Sequence, residues 1–374
     1  MFRSFVKMVK IRRILPACIL ALSLFFFPSC KQDAIFFDIS QEVEPKDPRI
    51  EGTPSKIVRF PSSGIVDITL YVANGRLHRY KEGTPAVTRG TWDSSVGQPP
   101  GGARTVAATT GFLYAITGNG NPNSFQLYRS GDGNTWPATF AGSSNGQIRI
   151  SYIQSIFGAG EVLFICTGPA PNCVISYLKD SDNSDAPTEI PGLRGLLTGA
   201  ILDGSDYYLA VSEKGIYTGT SESSLAELPG SSGKKFQGPD SLINANGTNY
   251  ALTTSGIWKL SSGSISPTSV PFSFFCSALY PNPLAGTPSL LLLGTDGGYG
   301  AYAIDPSGAI GPPNVNGSMP DGTTGFSSLE DNVVNYLYVL SETSLSPYSA
   351  PVIFASTQRE GLWSYRNGEW NAED

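Results

Sequence analysis

The chain has 374 residues, 40% of them hydrophobic and only 15% charged, with a formal net charge of −6. Its 42 glycines, 28 prolines, 17 tyrosines and 19 phenylalanines indicate many short strands joined by tight turns rather than helices. Beyond residue 29 the chain carries 20 basic and 31 acidic residues. This negative balance argues against nucleic acid as a partner, because nucleic acid is itself a polyanion.

The first 29 residues have the three-part layout of a secretory signal. A basic stretch precedes an apolar run from Ile14 to Phe27, and turn-forming or small residues follow it. The apolar run is about 14 residues long, shorter than the roughly 20 that a membrane-spanning helix needs. We therefore expect residues 1–29 to be a signal peptide that is removed on export.

Cys30 directly follows the small residue Ser29 at the end of this signal. The arrangement resembles the lipobox of bacterial lipoproteins, although Phe27 stands where that family has leucine and Pro28 is atypical. The resemblance implies that the Cys30 thiol carries lipid such as palmitate, and that more than one acyl chain anchors the protein to a bacterial membrane, in the periplasm or at the cell surface. The alternative is an ordinary signal peptide followed by an unmodified cysteine.

Residues 30–55 form the predicted tether between this anchor and the folded domain. Pro45, Pro48 and Pro54 interrupt its charged second half, which is typical of an extended spacer. The remaining residues, 56–374, are predicted to form one β-propeller domain.

The propeller prediction depends on an internal repeat. Seven apolar pentamers recur at intervals of 41–50 residues, except for a last interval of 61. They are LYVAN (70–74), LYAIT (113–117), LFICT (163–167), YLAVS (208–212), YALTT (250–254), LLLGT (291–295) and VIFAS (352–356). Each is apolar at consecutive positions, as expected of a strand that is buried on both faces.

Further strand-like segments flank each pentamer, which gives four strands per repeat. An upstream stretch such as 103–109 is rich in small residues, a Gly-apolar-aromatic strand follows the pentamer, and polar stretches such as 86–92 and 135–140 come last. Four-stranded units at this period are typical of propeller blades, so seven units predict a seven-bladed ring. An eighth degenerate blade, a β-sandwich pair and an open solenoid are the alternatives.

Ring closure and the long final interval need separate explanations. We expect Lys56–Phe60 to pair with the last blade beside Trp370, because an open ring would leave a bare sheet edge. Residues 332–342 are predicted to form a strand of the last blade, followed by a long loop.

Residues 128–136 resemble the Asp-box of sialidase-type propellers, one residue short of its usual length. In that family the box is a structural hairpin, in which the aspartate caps the turn and the tryptophan packs between strands. The matching residues are Ser130, Asp132, Gly133, Thr135 and Trp136.

Two further segments, 255–258 and 360–365, resemble the Gly-apolar-aromatic strand of sensor-type propellers. A lipid-anchored propeller is also similar to the outer-membrane lipoprotein of the β-barrel insertion machine, in anchor and architecture only. These resemblances imply a fold and say little about activity.

The cysteines of the domain predict one disulfide. Cys166 and Cys173 lie on consecutive predicted strands around a Gly-Pro-Ala-Pro turn, and an exported protein meets an oxidising compartment. Cys276, beside two phenylalanines, is predicted to be a buried free thiol.

No catalytic or metal-binding constellation stands out in the sequence, and we expect no cofactor. His78 is the single histidine, which makes a two-histidine metal site impossible and a Ser-His-Asp triad improbable. The acidic run 180–185 lacks the sixth-position glycine and twelfth-position glutamate of a Ca²⁺ loop. A sialidase would need three clustered arginines, and arginine is scarce here.

Three functions therefore stay open. The first is a non-enzymatic module that binds a protein or a glycan through its central channel or through loops 97–102, 119–124 and 343–351. The second is a carbohydrate-active enzyme, which a cluster of Asp and Glu with Arg or Trp at the channel mouth would favour. The third is a scaffold for envelope assembly. A channel mouth lined by small and apolar residues would favour the first.

Overall fold

A computed structural model gives the structure of this chain. The chain divides into two compact units, residues 1–47 and 48–374. Residues 50–373 are described here, except 61–68, 82–90, 119–124, 138–147, 151, 183–185, 262, 271–272, 282–287, 314–328, 330–331, 342–350 and 367–368. The predicted signal segment and Cys30 lie outside the described residues. In the described part of the chain, no helix has the length and hydropathy that crossing a bilayer would require.

The second unit is an all-β ring of seven four-stranded antiparallel sheets, which confirms the predicted seven-bladed β-propeller. Each blade consists of four strands that are consecutive in the sequence. Blades 1 to 3 contain β1 Val58–Arg59, β2 Thr69–Ala73, β3 Leu77–Lys81 and β4 Thr91–Asp93; β5 Thr105–Ala108, β6 Leu113–Gly118, β7 Phe125–Ser130 and β8 Ile148–Ile150; and β9 Ile153–Ala159, β10 Val162–Thr167, β11 Val174–Lys179 and β12 Thr188–Arg194.

The remaining four blades repeat this order. Blades 4 to 7 contain β13 Leu196–Asp203, β14 Asp206–Ser212, β15 Gly215–Ser221 and β16 Ser224–Glu227; β17 Leu242–Ala245, β18 Thr248–Thr253, β19 Gly256–Ser261 and β20 Ser264–Pro267; β21 Cys276–Tyr280, β22 Ser289–Thr295, β23 Gly298–Ile304 and β24 Ile310–Pro313; and β25 Val334–Leu340, β26 Val352–Thr357, β27 Leu362–Arg366 and β28 Glu369–Ala372.

The seven pentamers are the second strands of the seven blades. In β2 and β26 every residue is buried, because neighbouring blades cover both faces of the sheet. The small-residue stretches upstream of them become innermost strands, such as β5 and β21. The predicted strand at 332–342 is β25, the innermost strand of blade 7.

The prediction that residues 135–140 form the outer strand of blade 2 is wrong. That strand is β8, which pairs with β7 further along the chain. The physical reason is Trp136, whose indole N–H donates to the carbonyl of Gly97 over 2.7 Å. This bond holds the start of the segment against the preceding blade-1 connection, where Trp136 packs beside Val96 and Ala103.

Adjacent blades approach closely near the ring axis. Gly158 on β9 lies against the carbonyl of Ala108 on β5, and a Cβ atom at Gly158 would come within 1.7 Å of that oxygen. Since no side chain fits there, the glycine permits the two innermost strands to pack against each other.

The predicted closing strand is also wrong. Residues Val58–Arg59 of the segment Lys56–Phe60 pair with β2 in blade 1 and form the innermost strand of that blade. Trp370 does not meet this segment but packs on Tyr299, with ring centroids 5.7 Å apart, between blades 6 and 7.

Residues that precede β1 close the ring instead. The N–H of Leu362 donates to the carbonyl of Ile50, and that of Gly361 donates to Gly52, each over 3.0 Å. The Ser356 hydroxyl donates to the carbonyl of Pro54 over 2.9 Å. This closing segment, residues 50–54, therefore runs along blade 7 before the chain enters blade 1.

An aromatic and charged cluster fills the joint between blades 7 and 1. The rings of Tyr80, Trp92 and Phe354 lie 5.1–5.8 Å apart, and the Arg366 guanidinium lies 5.4 and 5.5 Å from the Tyr80 and Phe354 ring centroids. Glu373 accepts a hydrogen bond from Arg366 Nη2 over 2.9 Å. We call these five residues the seam cluster, because they join the first and last blades of the ring.

Candidate functional site

A cavity of about 510 Å³ lies at the ring axis, where the innermost strands begin. All seven blades contribute to it, because each enters its innermost strand from the same end of the ring. We call it the axial cavity. Its lining comprises Thr53, Pro54, Ser55, Lys56, Arg104, Thr105, Gln154, Ser155, Ile156, Phe157, Leu196, Leu197, Thr198, Gly238, Pro239, Phe275, Asn335 and Tyr336.

The side chains of this lining are both polar and apolar, and its charged side chains are all positive. Hydroxyl and amide side chains alternate with aliphatic residues and three aromatic rings, those of Phe157, Phe275 and Tyr336. Lys56 and Arg104 are cationic, and the described lining contains no carboxylate. The axial cavity therefore offers hydrogen-bonding groups, aromatic faces and positive charge together.

Lys56 enters the axial cavity because the chain extends here and successive side chains point to opposite sides. Ile57 packs into the joint between blades 7 and 1, so Lys56 turns inward and is only 9% exposed. Its ammonium lies 4.1 Å from the centroid of the Phe157 ring, a cation–π contact. Burial lowers the pKa of the Lys56 amino group, while the Asp240 carboxylate opposes this effect.

Asp240 and Tyr336 complete a polar group around Lys56. Burial raises the pKa of the Asp240 carboxyl, against the opposing effects of Lys56 and of the nearby Tyr336 hydroxyl. The Tyr336 hydroxyl donates to the carbonyl of Ile57 over 3.1 Å. Burial, followed by the nearby Asp240, raises the pKa of Tyr336 well above its ordinary value. Among the described residues no carboxylate oxygen lies within 4.0 Å of the Lys56 ammonium.

The predicted disulfide is absent. Cys166 and Cys173 are free, buried thiols. The register of β10 and β11 places Ile175 opposite Cys166, whereas Cys173 precedes the strand and donates to the carbonyl of Gly168 over 3.3 Å. Burial, together with the neighbouring Cys173 thiol, raises the pKa of the Cys166 thiol to about 12, so little of it is thiolate at neutral pH.

Cys276 is a buried free thiol, as predicted. Its sulfur contacts the carbonyl of Val334 in the next blade over 3.5 Å.

The Asp-box-like segment forms a tight turn outside the axial cavity. One Asp132 oxygen accepts hydrogen bonds from the Ser130 hydroxyl and the backbone N–H of Thr135, over 2.9 and 2.6 Å, and the other accepts from the Thr135 hydroxyl over 2.7 Å. Burial of Asp132 is outweighed by these bonds, which lower its pKa to about 2. Gly133 has φ +69°, and a side chain there would collide with the Tyr71 hydroxyl. The contacts of this turn are structural.

Two residues considered for metal or acid–base chemistry have other contacts. Asp180 accepts hydrogen bonds from the Thr109 hydroxyl over 2.6 Å and the Gly111 N–H over 2.8 Å, which tie blade 3 to blade 2. His78 is 7% exposed and lines a separate cavity of about 550 Å³ with Arg76. Burial, and then Arg76, lowers the pKa of His78. Among the described residues no group of three or more His, Cys, Asp or Glu is placed to hold a metal ion.

The candidate binding loops are only partly covered. In the 97–102 loop the Gln98 amide both accepts from the N–H and donates to the carbonyl of Leu77, each over 2.8 Å, so its side chain is committed to the scaffold. Loops 119–124 and 343–351 lie outside the described residues, apart from residue 351.

Sequence reasoning missed the central residues of the axial cavity. Lys56 was assigned to a closing strand, and Asp240 and Tyr336 were not selected at all. The signal lay in the repeat itself, since aligned repeats place Lys56, Thr105 and Asn335 within two residues of the start of an innermost strand.

No protein-family model and no curated protein matches the chain. Solved structures do match it at the level of the fold. A GH74 enzyme of Niastella koreensis aligns with TM-score 0.53 and 14% identity, over 84% of this chain and 52% of that one. The WD40 β-propeller domain of Doa1 aligns with TM-score 0.52 and 10% identity, over 86% and 95%.

A third similar structure is the extracellular domain of a hybrid two-component system from B. thetaiotaomicron, with TM-score 0.51 and 14% identity. It is matched over 85% of this chain, and the present chain spans 38% of its length. At these identities the likeness shows the propeller fold alone, because one fold hosts many activities.

Proposed function

We propose that this protein is an exported, lipid-anchored propeller that binds a glycan in its axial cavity and does not transform it. The observation that carries the proposal is the lining of that cavity. The Thr105 hydroxyl and the amides of Gln154 and Asn335 share this lining with the partly exposed ring of Phe275. The Gln154 N–H donates to the carbonyl of Gly168, which leaves its amide oxygen as an acceptor. Sugars offer hydroxyl groups and apolar C–H faces at once, and this combination recognises both.

The lining supports binding rather than hydrolysis. Hydrolysis of a glycosidic bond ordinarily uses two carboxyl groups on opposite sides of the scissile bond. Asp240 is the carboxyl group that contacts the described part of this site, and its interactions are with Lys56 and Tyr336. A single carboxyl with those partners is not the acid–base pair that the reaction requires.

The lining also favours a glycan over a protein as the ligand. A peptide in a channel would use backbone hydrogen bonds along an open strand edge. The innermost strands here are short, and β1 has only two residues while β5 has four. At the mouth of the axial cavity, side-chain hydroxyls and amides provide more hydrogen-bonding groups than the edges of these short strands do.

Binding can be tested with one blocking variant and one control. Thr105 lines the axial cavity, so Thr105→Trp fills part of it, whereas Ser223→Trp places the same side chain on an exposed turn. On an array of oligosaccharides we expect the wild type and Ser223→Trp to bind the same glycans, and Thr105→Trp to lose them. Identical profiles for all three proteins would refute the axial site, and release of shortened products would refute the non-enzymatic role.

Export and anchoring rest on residues 1–30. The signal layout and the cysteine that follows it support this part of the proposal, and one similar structure is an extracellular domain. We expect the wild type to partition into detergent and to incorporate labelled palmitate. Cys30→Ser should lose both properties, and Cys18→Ser should keep them. A Cys30→Ser protein that stays in the detergent phase would contradict lipidation.

A further inference from the structure

The axial cavity concentrates positive charge in an acidic protein. Beyond residue 29 the chain carries 31 acidic and 20 basic residues, yet the described lining of this cavity holds two cations and no carboxylate. The neighbouring Asp240 carboxylate interacts with Lys56 but forms no ion pair with it. Lys56 lies deep in the cavity, and Arg104 is exposed at its rim. Low-dielectric walls focus the field of such charges, so the arrangement attracts an anion and guides it inward.

Lys56 also has hydrogen-bonding capacity that the protein does not use. Its side chain is mostly buried, and its ammonium makes a cation–π contact with Phe157 but no hydrogen bond or ion pair with any described residue. An ammonium can donate three hydrogen bonds, so Lys56 can bind an acceptor that enters the axial cavity. Asp240 influences the pKa of Lys56, but no ion pair joins the two side chains.

We propose that the axial cavity binds an acidic glycan, with the carboxylate of a uronic acid residue held by Lys56 and attracted from the rim by Arg104. This inference rests on the proposed function, because it names the class of glycan that the same cavity takes. The carboxylate supplies a charged acceptor for the Lys56 ammonium. The partly exposed ring of Phe275 receives the sugar ring, and Gln154 and Asn335 bond its hydroxyl groups.

The charge of Lys56 also predicts discrimination between acidic and neutral sugars. Burial lowers the pKa of the Lys56 amino group, and a bound carboxylate would favour its charged form. An uncharged sugar would offer the ammonium hydroxyl acceptors only, and a hydrogen bond to a carboxylate is stronger, so the cavity should prefer the acidic sugar.

The test uses two probes with the same sugar chain, one with charged carboxylates and one with uncharged methyl esters. Tetragalacturonate carries free carboxylates, and its fully methyl-esterified form masks them without changing the sugar. Affinities would be measured by calorimetry for the wild type, Lys56→Met, Arg104→Gln and Lys214→Met, the last being an exposed lysine on a turn outside the axial cavity. Circular dichroism would establish that each variant is folded.

We expect the wild type to bind the acidic probe and to bind the ester at least tenfold more weakly. Lys56→Met should weaken the acidic probe about 10- to 100-fold, the loss expected for one charged hydrogen-bonding partner. Arg104 is exposed and its guanidinium lies 5.0 Å from the centroid of the Phe125 ring. Arg104→Gln should weaken binding of the acidic probe several-fold in a salt-dependent way. Lys214→Met should bind as the wild type does.

The outcomes separate this inference from the proposed function. One outcome overturns the acidic-glycan inference and leaves the axial glycan site standing. In that outcome Thr105→Trp loses binding, while the wild type and Lys56→Met bind equally well either to both probes or to a neutral glycan alone. If an acidic hexapeptide binds in a Lys56-dependent way and no glycan does, the glycan assignment is wrong. If Thr105→Trp and Arg104→Gln leave binding of the acidic probe unchanged, both proposals fail.

Discussion

The seam cluster gives a stability prediction that can be worked from its contacts. Glu373 is 1% exposed and Arg366 is 5% exposed, and they form an ion pair of 2.9 Å. The Nε and Nη1 atoms of Arg366 are buried and have no hydrogen-bond partner among the described residues. Glu373→Ala would therefore remove the ion-pair partner of a buried guanidinium that packs on the rings of Tyr80 and Phe354.

The magnitude follows from the burial of this charge. Removing one member of a buried ion pair costs about 3–5 kcal/mol, because the remaining charge is uncompensated. Unfolding entropy is about 2.1 cal/mol/K per residue, which gives roughly 0.7 kcal/mol/K for a propeller of this size. Glu373→Ala should then lower the melting temperature by about 4–7 °C.

The assay is thermal unfolding followed by circular dichroism, with two comparison variants. Glu189→Ala removes an Arg–Glu pair of 2.5 Å whose side chains are 41% and 50% exposed, and it should cost less than about 1 kcal/mol. The double variant Arg366→Met with Glu373→Leu replaces both seam charges and should recover most of the loss. The reasoning fails if Glu373→Ala melts no lower than Glu189→Ala.

Three further predictions concern the scaffold. Gly158→Ala should lower the free energy of unfolding by about 1–3 kcal/mol in urea titrations. In the control variant Gly297→Ala the added Cβ meets nothing within 4 Å, so the free energy of unfolding should change little. Equal effects of the two substitutions would contradict the close approach of blades 2 and 3. The Asp132 pKa is lower in the folded state, so its contribution to stability is full above about pH 4 and is lost as pH falls towards 2. Asp132→Asn should flatten that part of a melting-temperature profile, and an unchanged slope would count against the turn contacts. Cys166 and Cys173 should react with iodoacetamide only after unfolding, and resistance in denaturant without reductant would indicate a disulfide instead.

The repeating apolar pentamers predicted the blades well because each pentamer reflects the burial of a single strand. Each pentamer, such as residues 163–167, must be apolar on both faces since a neighbouring blade covers each side. Seven such segments at a nearly constant interval are compatible with few folds, and their number favours a seven-bladed propeller. The burial of a blade's second strand can therefore be predicted from the sequence of one repeat.

Contacts between residues far apart in the sequence could not be predicted from the repeat pattern. The closing segment, residues 50–54, looked like tether because its prolines and charges are typical of a spacer, whereas its role depends on backbone groups offered by blade 7. The spacing of Cys166 and Cys173 correctly brought the two thiols near each other, but it does not specify whether they bond, and both are free thiols. Lys56 and Asp240 are 184 positions apart and meet only because the ring brings its innermost strands together.

Closure by the segment that precedes β1 has a consequence for the proposed membrane anchor. The stretch that closes the ring at Ile50 and Gly52 follows the predicted tether from Cys30. If lipid on Cys30 anchors the protein, a protease that cut after Lys56 would remove the closing segment and the cavity lysine in one step. The released ring would then lack its closing contacts and Lys56. Cleavage before Ile50 would release a ring that keeps both, so the position of one cut decides whether the released domain retains the proposed site.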